Sequence, residues 1–449
     1  MKAGPRTAAR SRGDSPRSVG WIPIALLLAV SYIGYFKATL LLRWLGFDPT
    51  APLVLILAIY VLYRQLGHQQ GGLHRWAPVL ALWALFLPGA VYALSSGYNP
   101  YKTAYLFSIT LISVLAASVV LQTETDLRRW IKGTIVAGLV VAAFSLIDPN
   151  LGYTETFGRL GIEGSSTIAT ARVIGAAFVS VVLLACVRQH RLRPILAVMS
   201  LLLGALLVSI GSRGPLLGAV LTIVVVLLSA RLFRDSRWSS LFVGALGLGL
   251  VAFWAASMNI KGAQRTLGFL SGERIDVARN SLIGAATQNI ENHPLGIGWG
   301  GFSLLMGDNS GSTHPHNLFL EVFLEGGWIA GVALVVFVVL ALWRLWLASG
   351  SAVGAVTFAL AIYWLAVAQT SSDINGNRIT LVILACAFVL PKQAESSAPQ
   401  TLKRRSFSGT TRLNTHGDYQ ISPHRAASEE GLGADVNRRM PAERRRRPN

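Results

Sequence analysis

The side chain of this sequence best suited to proton transfer is a histidine in a polar stretch of the second half. His316 follows His314 in the run Ser312–Asn317, and an imidazole with an ordinary pKa of about 6.5 suits a general base at neutral pH. Glu321 and Glu325 follow on the next helical turns, so that either of them, or neither, orients the ring. The pattern predicts His316 as the catalytic base, with His314 and Glu321 in support.

A second chemical feature is a group of arginines with few acids beside them. Arg213 stands in the tight turn Gly211–Pro215 between two apolar stretches. A guanidinium near the membrane is costly unless it meets an anion or a partner, and it binds phosphate through two parallel hydrogen bonds. Snorkelling of Arg213 to lipid headgroups is the alternative. We predict four further arginines on the same side of the membrane: Arg159, Arg172, Arg274 and Arg279. Together they favour an anionic substrate.

The elements that must position these residues are membrane helices. Of the 449 residues, 52% are hydrophobic and 14% are charged, whereas soluble domains carry about 25% charged residues. The apolar residues form blocks separated by short polar stretches, and about 20 apolar residues of helix cross a bilayer. The sequence therefore predicts an all-α, polytopic membrane protein with about twelve transmembrane helices. The predicted spans are residues 21–36, 50–63, 76–94, 103–122, 130–147, 168–187, 194–211, 214–230, 240–257, 328–348, 352–370 and 378–391.

The basic charge lies mostly in the two tails. The formal net charge is +19, and the segments 1–20 and 392–449 hold seventeen of the forty lysines and arginines. Both segments lack apolar periodicity and are predicted to be disordered, flanking a membrane domain over 21–391. Aromatic residues do not alternate with the basic ones, which argues against nucleic-acid binding. The positive-inside rule instead places both termini in the cytoplasm, where the tails attract anionic membrane lipids.

One predicted outside loop, 258–327, is long enough to carry a site. It contains an amphipathic helix over 273–290 and then a glycine-rich run, 296–302, whose glycines permit tight turns. A short helix over 315–325, capped by Ser312 or Thr313 and with Pro315 in its first turn, is expected before the next span begins at Trp328. His316 is therefore expected just outside the membrane surface.

Several families of sites are excluded by missing motifs. The sequence contains no glycine–lysine phosphate loop, no Asp-x-Asp pair, no zinc-ligand spacing and no Gly-x-Ser-x-Gly elbow. Its two cysteines, Cys186 and Cys386, fall within apolar runs and provide neither a disulfide framework nor a metal site. We therefore expect no cofactor and no bound metal.

Three stretches, in this order along the chain, resemble motifs of the bacterial O-antigen ligase and polymerase superfamily. They are the Ser-Arg-Gly turn Gly211–Gly214, Arg274 followed by Pro294–Gly300, and His316–Asn317 ahead of Gly327. The motif-bearing part covers about 211–345. The sequence departs from the family pattern at Ala330, where a second glycine is expected and Gly331 follows one position late.

The resemblance implies a membrane glycosyltransferase of the GT-C type in the bacterial inner membrane. It implies metal-independent, inverting transfer of a glycan from a polyprenyl diphosphate to a hydroxyl of a lipid, glycan or protein acceptor. Arg213, with Arg159 or Arg274, would stabilise the diphosphate, and His316 would accept the proton of the hydroxyl. Asn317, as part of the His-Asn motif, would support the histidine.

Other functions stay open at the level of sequence. A polymerase of the same superfamily shares the histidine and arginine pattern; the His-Asn motif favours a ligase. A lipid-linked glycan or solute transporter is the alternative from another class, although transporters place charges near mid-membrane and here they lie at the helix ends. A non-catalytic scaffold would leave the outside arginines unexplained.

Overall fold

The computed structural model describes residues 18–36, 39, 42, 44–67, 75–91, 99–147, 153–154, 159–160, 162, 165–187, 192–233, 247, 277–306 and 313–390. The predicted span 240–257 apart from residue 247, the predicted tail 392–449 and most of the tail 1–20 lie outside the described residues. The domain boundaries drawn from composition therefore stay predictions.

The described part of the chain is helical apart from two short strands. The helices, in chain order, are α1 (Trp21–Phe36), α2 (Thr50–Gly67), α3 (Ala77–Val91), α4 (Asn99–Tyr105), α5 (Leu111–Val120), α6 (Glu124–Ile147), α7 (Thr167–Cys186), α8 (Arg193–Ile210), α9 (Arg213–Ser229), α10 (Val277–Asn292), α11 (Phe302–Met306), α12 (Leu318–Ala348), α13 (Ala352–Ala368) and α14 (Arg378–Cys386). Strands β1 (Tyr153–Thr154) and β2 (Arg159–Leu160) pair antiparallel before α7.

Many of these helices have the length or composition of membrane spans. Five are long and apolar enough to cross a bilayer: α6, α7, α8, α12 and a helix over Pro100–Val120 that joins α4 to α5. Five more, α1, α2, α3, α9 and α13, are apolar but have 10–17 residues in their apolar part. Every predicted span that falls within the described residues coincides with a helix, as a multi-pass membrane protein requires. The count of twelve stays a prediction.

Helix α7 is the centre of the bundle. It is apolar on all sides, and such a helix is expected to be buried on all sides; 18 of its 20 residues are buried. Small residues allow close approach: Gly138 of α6 packs on Ala177, and Gly175 packs on the Tyr363 ring of α13. Arg172 lies in the second turn of this helix, so its side chain is held inside the bundle.

The connections between helices gather at two opposite ends of the bundle. At one end, the Tyr35 hydroxyl donates to the Gly376 carbonyl over 2.7 Å and Ser165 donates to the Tyr35 carbonyl over 2.9 Å. At the other end, Ser349 accepts from the Arg231 amide over 3.1 Å. Helix α13 runs from the second end to the first. Connections that the positive-inside count assigns to opposite sides of a membrane are thus separated in the structure.

Helix α12 begins later than predicted and contains the expected break. Its N-cap is Asn317, whose side chain accepts from the amides of Phe319 and Leu320 over 3.1 Å. The prediction of a helix from Pro315, capped by Ser312 or Thr313, was wrong, because an Asn side chain satisfies the first amides three residues further on. Gly327, at φ 82° and ψ 176°, interrupts the helix, so a short segment over 318–326 precedes the long apolar segment from Trp328.

Candidate active site

The loop between α13 and α14, residues 369–377, is the element on which the other parts of the site converge. The Ile374 amide donates to a carboxylate oxygen of Glu321 over 3.1 Å. The Asn375 side chain donates to the Lys102 carbonyl over 3.0 Å. A methyl group at Gly214 would collide with the Thr370 side chain. We call residues 369–377 the floor loop, and the end of the bundle that carries it the loop end.

Arg172 anchors the floor loop from inside. Its guanidinium donates to the Ser371 carbonyl over 2.9 Å, to the Asn377 side-chain oxygen over 2.6 Å and to the Tyr35 hydroxyl over 3.1 Å. The side chain is 1% exposed. The sequence predicts Arg172 as a ligand of an anionic substrate; in the structure both terminal nitrogens of its guanidinium donate to protein oxygens.

His316 lies at the loop end immediately before the Asn317 cap. It is half-buried and adopts φ 58°, a left-handed conformation that is uncommon for a residue other than glycine. Such strain costs about 1–3 kcal/mol and is concentrated at functional sites. A second strained residue, Ser372 at φ 66°, lies in the floor loop. The position agrees with the expectation that His316 sits at the start of a helix, and its place at the membrane surface stays a prediction.

His314 forms a pair of rings with His316. The ring centroids are 4.3 Å apart and the planes are nearly perpendicular, and the Thr313 hydroxyl lies 3.0 Å from Nδ1 of His314. Burial lowers the pKa of His314 to about 4; the nearby Asp373 raises this pKa, and His316, Lys102 and Arg172 lower it. The His314 imidazole is therefore neutral at pH 7, which is the form that accepts protons or hydrogen bonds.

The two carboxylates of the α12 segment face a buried lysine. Lys102, in the first turn of α4, lies 2.6 Å from Glu321 through its ammonium nitrogen and also binds Glu325. All three side chains are fully buried. Both carboxylates bind Lys102, and whether either of them orients the His316 ring stays a prediction.

Arg213 begins α9 at the same end of the bundle. Gly211 caps α8 in a left-handed conformation, φ 67° and ψ 24°, so that only Gly211 and Ser212 separate the two helices. Arg213 is half-buried, and the next residue, Gly214, packs on Thr370 of the floor loop. The residue after Arg213 therefore packs on the same loop whose Ile374 amide binds Glu321, in the helix that follows His316 and Asn317.

The other three predicted arginines are described to different extents. Arg279 lies in the first turn of α10, on the helix face that continues through Leu282 and Ala286, which pack against the α12 segment. For Arg159 the structure describes the backbone pairing with Thr154, and Arg274 lies outside the described residues. Their roles toward a substrate stay predictions.

The glycine-rich run supports the α12 segment. The Ile297 and Gly298 amides donate to the Leu324 and Glu325 carbonyls over 2.9 Å, like one edge of a sheet. Trp299 is buried and its indole donates to the Phe86 carbonyl in α3 over 2.9 Å. The run therefore fixes the α12 segment against α3, and its glycines permit this close approach.

Two buried cations of the loop end were not predicted. Lys102 falls directly before the predicted span 103–122, and the only signal in the sequence is its isolation at the entrance of an apolar run. Arg378, the first residue of α14, is buried, and a methyl group at Gly34 would lie 2.5 Å from its guanidinium. Lys102 touches the segment that carries the histidine, so it belongs to the site.

Comparison with known families matches part of the chain. Residues 197–335 match the family model described as O-antigen ligase. The matched segment runs from α8 into α12 and includes Arg213, Arg274, Arg279 and the region of the two histidines. The match confirms the resemblance seen in the motifs and indicates glycosyl transfer of the O-antigen ligase and polymerase type. No curated relative matches the chain.

Proposed function

We propose that this protein, whose residues 197–335 match the family model described as O-antigen ligase, transfers a glycan from a polyprenyl diphosphate to an acceptor hydroxyl. The observation that carries the proposal is that chain neighbours of Arg213 and His316 meet one floor loop at one end of the bundle: Gly214 packs on Thr370, and Glu321, in the helix that His316 precedes, accepts from the Ile374 amide. The positive-inside rule places that end on the outer face of the cytoplasmic membrane, and both termini in the cytoplasm.

The chemistry is a single displacement at the anomeric carbon. His316 accepts the proton of the acceptor hydroxyl while its oxygen attacks the sugar from the face opposite the diphosphate. The carbon–oxygen bond to the diphosphate breaks, and the polyprenyl diphosphate leaves with the bonding electron pair. The attack from the opposite face inverts the anomeric centre. The proton passes from His316 to water in a later step.

Charge on the leaving group is the second requirement. The diphosphate gains negative charge as the bond breaks, and a guanidinium fixed beside it stabilises that charge in the transition state more than in the ground state. Arg213 suits this role, since a helix start also presents backbone amides to an anion. We assign the predicted arginines Arg274, Arg279 and Arg159 to the same half of the site, and Arg172 to holding the floor loop.

The test is transfer by the purified protein in liposomes that contain a polyprenyl-diphosphate-linked glycan. Transfer to an added lipid, glycan or protein acceptor identifies a ligase, and growth of the donor glycan without it identifies a polymerase. Movement of the intact donor across the bilayer without bond cleavage would identify a transporter and contradict the proposal. The same assay with excess chelator is expected to give an unchanged rate; a rate that falls and returns with added Mg²⁺ would contradict the metal-independent mechanism.

Replacing Arg213 with alanine is expected to weaken binding of the lipid-linked donor by about 10- to 100-fold, because one charge-assisted contact contributes about 1.5–3 kcal/mol. R213K keeps the charge without the planar fork, so we expect an intermediate loss. The measurement is the donor Kd by titration in detergent.

The matched control for Arg213 is Arg128, which pairs with Glu124 one helical turn away and has a 61% exposed side chain. R128A is expected to bind the donor with the affinity of the parent protein. Equal donor affinity of R213A and R128A would remove Arg213 from the diphosphate site.

A further inference from the structure

We propose that Lys102 is a positioning residue of the active site: by binding Glu321 and Glu325 it holds the helical segment 318–326, and with it His316, against the floor loop. The inference rests on the proposed function, in which His316 is the base. It concerns a residue outside the segment that matches the family model, residues 197–335.

The first step is the geometry of the cluster. Glu321 and Glu325 are four residues apart, so they lie on one face of the α12 segment, and both carboxylates bind the Lys102 ammonium. The three side chains are fully buried. Two buried carboxylates repel each other and are poorly solvated by protein, so the ammonium between them determines how closely this face approaches α4.

The second step is that Lys102 is itself fixed. Its carbonyl accepts from the Asn375 side chain over 3.0 Å, and the Asn375 oxygen accepts from the Thr110 hydroxyl over 2.7 Å. Thr110 ends a π-helical turn, Leu106–Thr110, between α4 and α5. The backbone of Lys102 is thereby hydrogen-bonded to the floor loop independently of its side chain. The ammonium group therefore extends from a fixed backbone position.

The third step connects the cluster to the histidine. Glu321 accepts from the Ile374 amide over 3.1 Å through the same oxygen that binds Lys102. His316 and Asn317 directly precede the first turn of α12, and Asn317 is bound to that turn through two amides. A displacement of the segment therefore moves His316 relative to the floor loop and Arg213. A misplacement of about 1 Å at a reacting group can cost about 100-fold in rate.

The fourth step is electrostatic and gives a readout independent of transfer. His316, Lys102 and Arg172 face the His314 ring as cationic or ionisable groups, and Asp373 faces it as an acid. Lys102 is among the charges that lower the pKa of His314. Removal of the ammonium takes away one of the positive charges that lower the pKa of His314, so that pKa should rise.

The experiment compares K102M with the neutral triple variant K102M/E321Q/E325Q, and with K132M as the control. Lys132 is an exposed lysine of α6. We expect K102M and the triple variant to lower kcat by 30-fold or more while the donor KM changes by less than twofold, and K132M to match the parent protein. The pH midpoint of deuterium exchange at the imidazole carbon of His314, followed by mass spectrometry, should rise by about one unit in K102M.

Each outcome bears on the inference. A wild-type kcat in a folded K102M or in the folded triple variant would overturn it, and so would a donor KM that rises in step with the fall in kcat. Loss of the folded fraction in both variants would also contradict it, because the ammonium would then hold the whole bundle and not the histidine turn. The exchange midpoint separates this inference from the proposed function: an unshifted His314 refutes the link from Lys102 even if H316A abolishes transfer, whereas an active H316A refutes the base even if the midpoint shifts.

Discussion

The H316A variant is expected to transfer glycan about 10²- to 10⁴-fold more slowly than the parent protein, the range that a positioned general base contributes. The half-buried ring lies at the loop end of the bundle, one residue before a helix held by the glycine-rich run, Lys102 and the floor loop. Donor affinity should change by less than twofold, because the histidine acts on the acceptor and Arg213 on the diphosphate. Single-turnover transfer and a donor titration measure the two effects separately.

His293 provides the matched control for this variant. It is also half-buried, and its Nδ1 lies 3.0 Å from the Asn289 carbonyl at the end of α10. H293A loses an imidazole of similar burial that the proposed reaction does not use, so its rate should stay within twofold of the parent protein. Equal rates for H316A and the parent protein would refute the general-base role. A loss shared equally by H293A and H316A would show that folding, and not proton transfer, is being measured.

The sequence predicts His316 as the base because histidines in the long predicted outside loop are few and histidine chemistry is distinctive. It did not locate Lys102, because the partners of Lys102 are 219 and 223 positions away along the chain. A lysine at the entrance of an apolar run is indistinguishable in sequence from one that reaches the headgroups. Only the packing of α4 against the α12 segment turns it into the centre of a buried ion cluster.

The helices were predictable for a related reason. Apolar runs must form helices inside a bilayer, since every backbone amide needs an internal partner there, so the spans could be predicted from hydropathy alone. The residue at which α12 begins was harder to predict. A helix start is compatible with Thr313, Pro315 or Asn317. In the structure Asn317 is the N-cap, because its side chain accepts hydrogen bonds from two amides.

Arg172 shows where a reading from charge alone is insufficient. An arginine beside few acids suggested an anionic substrate, but carbonyl groups satisfy a guanidinium as well as carboxylates do. The end of α13 and the floor loop supply such acceptors, among them the Val367 and Ser371 carbonyls. Arg172 therefore holds the floor loop from inside, and Gly214, the residue after Arg213, packs on Thr370 of the same loop.

The second prediction concerns the replacement of Gly327 by alanine, which is expected to lower the stability of the protein. Its φ of 82° with ψ of 176° is a conformation that is essentially restricted to glycine. A methyl group there would lie 2.5 Å from the Leu295 carbonyl carbon and 2.9 Å from the Gly296 nitrogen, both of them backbone atoms that cannot move aside. G327A is therefore expected to lose about 3 kcal/mol or more of folding free energy, measured as thermal unfolding in detergent.

Gly284 provides the control, because G284A also replaces a glycine by alanine but at a position within a regular helix. It lies within α10 with no atom within 4 Å of the position of an added methyl group, so G284A should be neutral or more stable by about 0.5–1 kcal/mol. A folded G327A with parent stability would show that the break in α12 is not fixed by this residue. Because the Ile297 and Gly298 amides bind the α12 segment just before the break, a G327A protein that does fold should also lose transfer, as the histidine segment would leave the floor loop.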